Sequence, residues 1–414
     1  MEWWSNGVAR PSSHDSNTTA LHYSITPRLQ SLANPPPARY RPAMSLRVLI
    51  APDKFKGTLT AHAAAEAIAA GWRKARPADR LTLLPISDGG DGFGEILSAA
   101  LAAKLQRVRT VDAAHRPLEG VWWWDAKSKT AVIESANVIG LAMLPPKQFH
   151  PFQLDTFGLA AVLQAAATRG ARRCFVGIGG SATNDGGAGV ARGLGWQFFN
   201  RRGEELFRWT HLQQLHRLAA PRRRKLFPQL VVAVDVQNKL LGARGCSRVY
   251  GPQKGLRPEE FPSAERALRR LANVVKAQLG RDLAGVPGTG AAGGLGFGLS
   301  AFAGAKLEPG FDLIARHARL EEHLRAADLV ITGEGSLDRS SLMGKGPGEI
   351  AIRCRSRKLP CLGLGGVVQD EAALRKWFQS ANGLTQFTSP EQAKADAAKW
   401  LAKLASQVAR GLEP

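Results

Sequence analysis

Two loops of the chain combine carboxylates with lysines or with other carboxylates, each directly after a short apolar run. Residues 51–58 contain Asp53 followed by Lys54 and Lys56. A carboxylate beside lysines at the end of a strand can bind an anion while it orients a lysine or a hydroxyl. An ordinary helix start with solvated lysines explains these residues equally well. Both interpretations stay open for this loop alone.

The second loop, residues 87–92, has the sequence Ser-Asp-Gly-Gly-Asp-Gly and contains Asp88 and Asp91. Closely spaced carboxylates suit a metal ion or a polyol. Asp-Gly pairs are also standard turn sequences. Taken alone, this loop favours the turn.

The third loop, residues 177–187, has the sequence Gly-Ile-Gly-Gly-Ser-Ala-Thr-Asn-Asp-Gly-Gly. The backbone N–H groups of Gly179, Gly180 and Ser181 can form an anion-binding nest. Asn184 and Asp185 add side chains that can act on a bound ligand. A simple turn does not require so many polar residues after a buried strand, so this loop predicts a functional site.

Two further loops carry the same kinds of residue. Lys254 lies in Gly-Pro-Gln-Lys-Gly, and Asp235 precedes it at the end of a predicted strand. Residues 331–338 contain Glu334 and Asp338, and Lys345 follows in Gly-Lys-Gly. The Gly/Ala run between these loops, residues 288–298, is compatible with close approach of the backbone to a ligand.

Strands and helices alternate from residue 44 onwards, which predicts an α/β fold. Residues 61–75 have the alanine content and spacing of a helix, and residues 48–51 form a buried-strand pattern. Residues 105–150 are instead rich in short β segments. The candidate residues follow strands, and ligands of open α/β sheets collect at the carboxyl ends of strands. Residues 1–43 are rich in Ser and Pro without periodicity, which predicts a disordered or mis-assigned leader.

The bulk composition excludes some classes of protein and leaves others open. The net charge of +22 favours anionic partners, and binding of nucleic acid stays an alternative to a basic solvated surface. Residues 122–124 are all Trp, and aromatic side chains can stack on the bases of nucleic acids. Their place in a strand-like segment favours a β-strand instead. The four cysteines form no C-x-x-C pair, which indicates a reducing compartment. The sequence contains no run of 18 apolar residues, so no membrane span is predicted.

Several well-known motifs are missing from the sequence. It has no G-x-x-x-x-G-K-[ST], no protein-kinase signature, no H-E-x-x-H and no G-x-S-x-G. Residues 177–182 satisfy a loose dinucleotide fingerprint, but no clear acidic residue follows at the end of the next strand. An NAD(P)-dependent oxidoreductase is therefore retained only as an alternative.

In their order along the chain, these loops resemble those of the bacterial glycerate kinase family. The resemblance covers essentially Met44 to the C-terminus. It rests on Ala-Pro-Asp-x-Phe-Lys-Gly, Asp-Gly-Gly-[Asp/Glu]-Gly, Gly-Gly-Ser-Ala-Thr-Asn-Asp-Gly-Gly, Gly-x-Gly-Ala-Ala-Gly-Gly-Leu-Gly, Gly-Pro-Gln-Lys-Gly and Ile-Thr-Gly-Glu-Gly-x-Leu-Asp. The resemblance implies a flavodoxin-like or Rossmann-like parallel-sheet domain, residues 44–88 and 305–414. A mixed α/β domain, residues 89–304, is then inserted into it, with the active site in the cleft.

The resemblance also implies an activity: transfer of phosphate from ATP to D-glycerate with Mg²⁺, giving 2-phosphoglycerate rather than 3-phosphoglycerate, in the cytoplasm. ATP and D-glycerate are then the partners, without nucleic acid or membrane, and a homodimer stays open. Asp185 is the expected base, and Lys56 the expected neutralising cation. The expected binding residues are Asp53, Gly179, Gly180, Ser181, Asn184, Asp88, Lys254 and Lys345. The expected Mg²⁺ ligands, directly or through water, are Asp235, Glu334 and Asp338.

The chain departs from the family pattern at several positions. Lys54 stands where the family usually has Ser, Asp91 where it has Glu, and Phe93 where it has Thr. Val234 replaces the usual Cys before Asp235. These departures bear on substrate preference and rate rather than on the class of reaction.

Overall fold

The computed structural model of the chain describes residues 45–342, 344 and 346–412. The predicted leader, residues 1–43, and Lys345 lie outside the described residues. No helix in the described ranges combines the length and the apolar character needed to cross a membrane.

The elements are numbered in chain order. The strands are β1 (Arg47–Ile50), β2 (Arg80–Leu83), β3 (Lys104–Val111), β4 (Pro117–Asp125), β5 (Thr130–Glu134), β6 (Arg173–Gly177), β7 (Gln197–Phe199), β8 (Arg217–Ala219), β9 (Gln229–Val234), β10 (Lys306–Pro309), β11 (Leu329–Leu337), β12 (Cys361–Val368) and β13 (Ser380–Gly383). The helices are α1 (Ala61–Ala75), α2 (Phe93–Leu101), α3 (Ala136–Ile139), α4 (Leu159–Thr168), α5 (Ala188–Gly193), α6 (Cys246–Tyr250), α7 (Phe261–Leu279), α8 (Ala291–Ala303), α9 (Gly310–His317), α10 (Leu320–Ala326), α11 (Gly346–Ser356), α12 (Glu371–Leu374), α13 (Pro390–Ala395) and α14 (Ala397–Arg410).

The first sheet is parallel throughout, in the order β13-β12-β11-β1-β2. Both of its faces are covered, as parallel sheets require. Helices α1 and α14 pack on one face through side chains such as Trp72 and Leu401. Residues of α9, α10 and α11, among them Ile350, pack on the other face. Helix α1 begins where the Thr60 side chain accepts a hydrogen bond from the Ala63 N–H at 3.1 Å, an N-cap.

The second sheet is mixed, in the order β10-β9-β6-β5-β4-β3. The pairs from β10 to β5 are parallel, and β4 and β3 are antiparallel. The three tryptophans of β4 point alternately to the two faces. Trp123 packs with Phe93 of α2, and Trp122 and Trp124 pack with residues of α4 on the other side. Helices α7 and α8 belong to a further apolar cluster, which includes Leu271.

The predicted α/β class is therefore confirmed, with a parallel sheet and a second, mixed sheet. The strand prediction for residues 122–124 is confirmed too, and these side chains are buried on both faces of the sheet. Strand β10 pairs with β9 in the second sheet. That sheet thus extends to Pro309, past the predicted boundary at residue 304. The division into an outer and an inserted domain stays a prediction.

Candidate active site

The carboxyl-terminal edges of both sheets face one segment, residues 87–94, which runs from β2 of the first sheet to α2. Asp53 follows β1 in the first sheet, and Asp235 follows β9 in the second. A parallel sheet presents its ligand-binding loops at this edge. The segment, which we call the crossing segment, is therefore where residues from the two sheets can act together.

Glycines make this close approach feasible. A Cβ added at Gly89 would stand 2.9 Å from Asp235 Oδ1 and 3.1 Å from the Cα of Gly310. One added at Gly179 would stand 2.5 Å from the Cα of Gly90. Gly89 also has a φ of +100°, which L side chains rarely adopt. Larger residues here would push the two strand edges apart.

Lys54 lies at the centre of a group of carboxylates, those of Asp53, Asp88, Asp91 and Asp235. Its Nζ donates a hydrogen bond to the backbone oxygen of Asp91 at 3.1 Å. Burial alone would lower the pKa of Lys54, but the surrounding carboxylates together raise that pKa above its ordinary value. The ammonium is therefore held charged and offsets part of the negative charge.

Two of these carboxylates are strongly perturbed. Asp53 is 5% exposed, and its Oδ1 accepts a hydrogen bond from the Lys54 N–H at 2.6 Å. Burial and the nearby Asp88 carboxylate together raise the pKa of Asp53 to about 8, against the opposing effect of Lys54. Burial and Asp88 likewise raise the pKa of Asp235 to about 9. Asp235 Oδ1 is buried with no hydrogen-bond partner. Carboxyls with pKa values this high are largely protonated near neutral pH, and a bound cation would displace their protons and stabilise the charged carboxylates.

Glu134, at the end of β5, holds the crossing segment in place. Its Oε1 accepts a hydrogen bond from the Gly92 N–H at 2.7 Å, and its Oε2 accepts one from the Gly94 N–H at 3.0 Å. Burial raises the pKa of Glu134, and these two hydrogen bonds oppose that change. The carboxylate thus satisfies backbone donors at the start of α2 and orients the segment that carries Asp88 and Asp91.

The second half of β11 and the turn after it reach the same region in part. Glu334 is near enough to Asp53 to raise its pKa. Asp338 lies in a turn, where its Oδ1 accepts a hydrogen bond from the Ser340 N–H at 2.6 Å and its Oδ2 one from the Ser336 hydroxyl at 3.2 Å. These contacts give Asp338 a local structural part in this loop.

The carboxylates also bear on the expected Mg²⁺. Among residues 45–342, 344 and 346–412, no three His, Cys, Asp or Glu side chains are arranged to hold a metal. Asp235, Glu334 and Asp338 are thus not brought together as one ligand set. Mg²⁺, however, is usually held by one or two carboxylates, with water and substrate phosphates completing its shell. Asp235, with a buried and unpartnered Oδ1, and neighbouring Asp88 fit that arrangement.

Asp185 lies away from this group in a fully buried position. Its Oδ2 accepts hydrogen bonds from the Thr156 N–H at 3.0 Å, the Thr156 hydroxyl at 2.8 Å and the Gly189 N–H at 2.8 Å. Its Oδ1 accepts one from the Gly187 N–H at 3.0 Å. Burial raises the pKa of Asp185, and Asp155 adds to that. A general base must reach the proton that it removes, and both oxygens here are engaged by the protein. The geometry favours a positioning role over the predicted role as base.

The other polar residues of this loop are buried as well. Ser181 Oγ lies 2.9 Å from Thr183 Oγ1, and Asn184 Nδ2 donates to Ser247 Oγ at 2.9 Å. The Oδ1 of Asn184 is buried without a hydrogen-bond partner. Lys254 Nζ donates to the backbone oxygen of Thr183 at 2.6 Å, and burial lowers the pKa of Lys254 to about 8. These predicted binding residues lie together, but beneath the surface.

The residues predicted in the third loop, residues 177–187, therefore divide into two groups. Gly179 and Gly180 reach the crossing segment, where a Cβ on Gly179 would meet Gly90 and one on Gly180 would meet Asp91. Residues from 181 onwards form the buried group. Only the first group lies beside Lys54.

The Gly/Ala run packs on the chain itself. A Cβ at Gly293 would stand 1.9 Å from the backbone oxygen of Thr183, and one at Gly298 would stand 2.5 Å from the Cα of Gly187. Ala292 has a φ of +55°, and the two glycines after it are left-handed too. These glycines let α8 approach the buried loop, so the close contact predicted for a ligand is a backbone-to-backbone contact.

A cavity of about 700 Å³ opens beside the carboxylate group. Lys54 and Asp91 line it and also belong to that group. Lys56, predicted to neutralise charge, is exposed and lines the same cavity. A volume of this size suits an organic ligand, since such sites span about 300–1,000 Å³.

The comparisons with known proteins assign the chain to a family. A family model described as the glycerate kinase family matches residues 48–413. The chain belongs to the glycerate kinase family. A glycerate kinase of Halalkalibacterium halodurans is 37% identical, over 77% of this chain and 85% of the relative. A glycerate 2-kinase of Escherichia coli is 35% identical, over 80% of this chain and 87% of the relative.

A solved structure named for glycerate kinase 2 of Salmonella typhimurium shares the fold. Its TM-score is 0.75 at 33% identity, and the match covers 89% of this chain and 98% of that one. This agreement extends the family assignment from sequence motifs to the whole architecture.

In this member of the glycerate kinase family, some site residues were not selected from the sequence. The sequence offers Lys54 as one of two lysines beside Asp53, and Asp91 as one of two closely spaced carboxylates in a turn sequence, but it selects neither as a site residue. Glu134 and Thr156 were not considered. Glu134 carried a usable signal, because it ends a buried strand. Thr156 carried none, since its contact with Asp185 joins residues 29 positions apart.

Proposed function

We propose that the protein transfers the γ-phosphoryl group of ATP to D-glycerate in the presence of Mg²⁺ and forms 2-phosphoglycerate. The observation that carries this proposal is the group of Asp53, Asp88 and Asp235 around Lys54, at the facing strand ends and beside the cavity. The names of the relatives support glycerate as the acceptor, and one relative is named for the 2-position.

Lysines supply the positive charge that phosphoryl transfer requires. In such reactions the protein contributes chiefly positioning and charge neutralisation. Lys54 stays charged among the carboxylates, and exposed Lys56 lies on the cavity wall. We assign Lys56, and Lys54 with it, to binding the phosphates and the glycerate carboxylate.

The carboxylates take two different parts in this proposal. Asp235, supported by Asp88, would hold Mg²⁺, because Asp235 Oδ1 is buried without a partner. When bound, Mg²⁺ neutralises charge on the phosphate oxygens and orients them. Glu334 stays near Asp53 as a candidate for a water-mediated contact with the ion.

Asp53 is the base that we propose in place of Asp185. Its Oδ1 is oriented by the Lys54 N–H, which leaves Oδ2 for the acceptor hydroxyl. The glycerate oxygen forms a bond to the γ-phosphorus, the bond from that phosphorus to the ADP oxygen breaks, and the hydroxyl proton passes to Asp53. A raised pKa near 8 suits this step, since a base works best with a pKa near the working pH.

Product analysis of the wild-type protein tests this function. ADP release is measured with ATP, Mg²⁺ and D-glycerate, and the product is identified by phosphorus NMR. The proposal predicts glycerate-dependent ADP release and a 2-phosphoglycerate signal. ADP release that ignores glycerate, or a 3-phosphoglycerate signal, would contradict the activity or its position.

The cellular setting is part of the same proposal. The four cysteines are buried and free, which fits a reducing cytoplasm. Membership of a kinase family decides against the oxidoreductase alternative. The nucleic-acid alternative predicts retention on polyanions with a steep salt dependence, and a homodimer predicts twice the monomer mass in solution.

A further inference from the structure

The cavity beside the carboxylate group has two chemically different parts. The end beside the carboxylate group is polar, with Lys54, Lys56 and Asp91. A second part is lined by apolar side chains from the end of β2 and from α2, namely Leu83, Leu84, Pro85, Ile96, Ala99 and Ala100. His62, His317, Arg319 and His323 also line the cavity.

One face of α2 forms much of the apolar wall. Ile96, Ala99 and Ala100 lie on the same side of the helix, with the charged Glu95 beside them. Phe93 and Leu97, between them, are buried in the core against the second sheet. The helix is therefore anchored by one face, while its other face and its small alanines leave an open space.

We infer that this apolar part of the cavity binds the adenosine end of ATP, with the triphosphate directed toward Lys54 and Lys56. The inference rests on the proposed kinase function and extends it to a location. A base and ribose need a broad apolar surface, whereas the phosphates need cations, and the cavity provides both in that order. The phosphate end then lies beside Asp53 and Asp235, where the transfer occurs.

Size and polarity exclude glycerate as the occupant of the apolar part. Glycerate is a small three-carbon acid that carries a carboxylate and two hydroxyls. It would leave most of about 700 Å³ unfilled and would place polar groups against Leu84, Ile96 and the alanines. Glycerate is instead assigned to the polar end of the cavity, where Lys54 and Lys56 can bind its carboxylate and Asp53 lies nearby.

Blocking the apolar wall tests this location. Ala99 and Ala100 are exposed on α2, so Ala99→Trp and Ala100→Trp fill the cavity without overpacking the core. We expect the KM for ATP to rise at least about tenfold in each variant. The KM for glycerate should stay within about twofold, and kcat at saturating ATP should be retained. Ala277→Trp, at an exposed position of α7 outside the cavity, is the matched control.

ADP binding gives a second measurement that does not depend on activity. ADP should raise the melting temperature of the wild type and of Ala277→Trp, because a ligand stabilises the folded state that binds it. ADP should raise the melting temperatures of Ala99→Trp and Ala100→Trp much less. An unchanged KM for ATP and an unchanged ADP shift in both folded variants would overturn the location while leaving the kinase function intact. A rise in the KM for glycerate alone would overturn it too, and would assign the cavity to the acid.

Discussion

Lys54 Nζ donates a hydrogen bond to the backbone oxygen of Asp91 across 3.1 Å, and so joins the loop after β1 to the crossing segment. The two residues are 37 positions apart in the chain. Both also line the cavity. This contact places a charged lysine between the cavity and the carboxylates of Asp53 and Asp235.

Replacing this lysine should impair catalysis. We expect Lys54→Met to lower kcat/KM by at least about tenfold, since it removes the cation that offsets the carboxylates beside the phosphates. Lys54→Arg should retain most of the rate because it keeps the charge. Steady-state kinetics per folded molecule give the comparison, with exposed Lys225→Met as the control. Equal rates for Lys54→Met and the wild type would show that Lys54 is a solvated lysine without a part in catalysis.

Asp185 should matter for stability more than for the chemical step. In Asp185→Asn, an NH₂ group would face N–H and O–H donors of Thr156 and Gly189 in place of an acceptor. A buried polar group left without its partner costs about 1–3 kcal/mol. We expect the melting temperature to fall while kcat per folded molecule stays within a few-fold of wild type. Circular dichroism melting and kinetics separate the two effects. A hundredfold loss of kcat at an unchanged melting temperature would restore Asp185 as the base.

Buried Lys254 should make stability depend on pH. Its folded pKa of about 8 lies below the ordinary value of 10.5, because burial opposes the charge. Between these two values the unfolded chain binds more protons, so the contribution of Lys254 to stability rises with pH across that window. The difference between the two pKa values corresponds to a change in the free energy of unfolding on the order of 3 kcal/mol.

The Lys254→Met variant isolates this contribution. We expect the free energy of unfolding of the wild type, relative to the variant, to increase between pH 8 and 10.5. Urea denaturation at several pH values measures the difference. Parallel pH curves for the two proteins would mean that Lys254 is not buried as a charged group.

Much of the fold could be predicted because its signals are local. The helix expected over residues 61–75 has those bounds in the structure, since alanine-rich spacing and the Thr60 cap act within a few residues. The strand expected over residues 48–51 occurs as β1, with both ends shifted by one residue. The sheet to which residues 306–309 belong could not be predicted in the same way. These residues form β10, which joins the second sheet by pairing with β9, a strand far away in the sequence.

The candidate site was predictable only in part. Asp53, Asp88 and Asp235 stand out because each follows an apolar strand, and carboxyl ends of parallel strands share an edge. The burial of Asp185 could not be inferred from its loop, since it depends on the contact with Thr156, which precedes α4. Spacing along the chain does not report which side chains another element covers.

The central claim is that the carboxylates around Lys54 form the reaction centre, with Asp53 as the base. The most direct measurement is kcat for glycerate phosphorylation by Asp53→Asn. Asp282→Asn is the control, because Asp282 is an exposed carboxylate paired with Lys276. General-base help is typically worth about 10²–10⁴-fold. We predict that Asp53→Asn keeps the melting temperature and ADP binding of the wild type but loses at least about a hundredfold in kcat, while the control is unaffected. A folded Asp53→Asn protein with kcat close to that of the wild type would contradict the account.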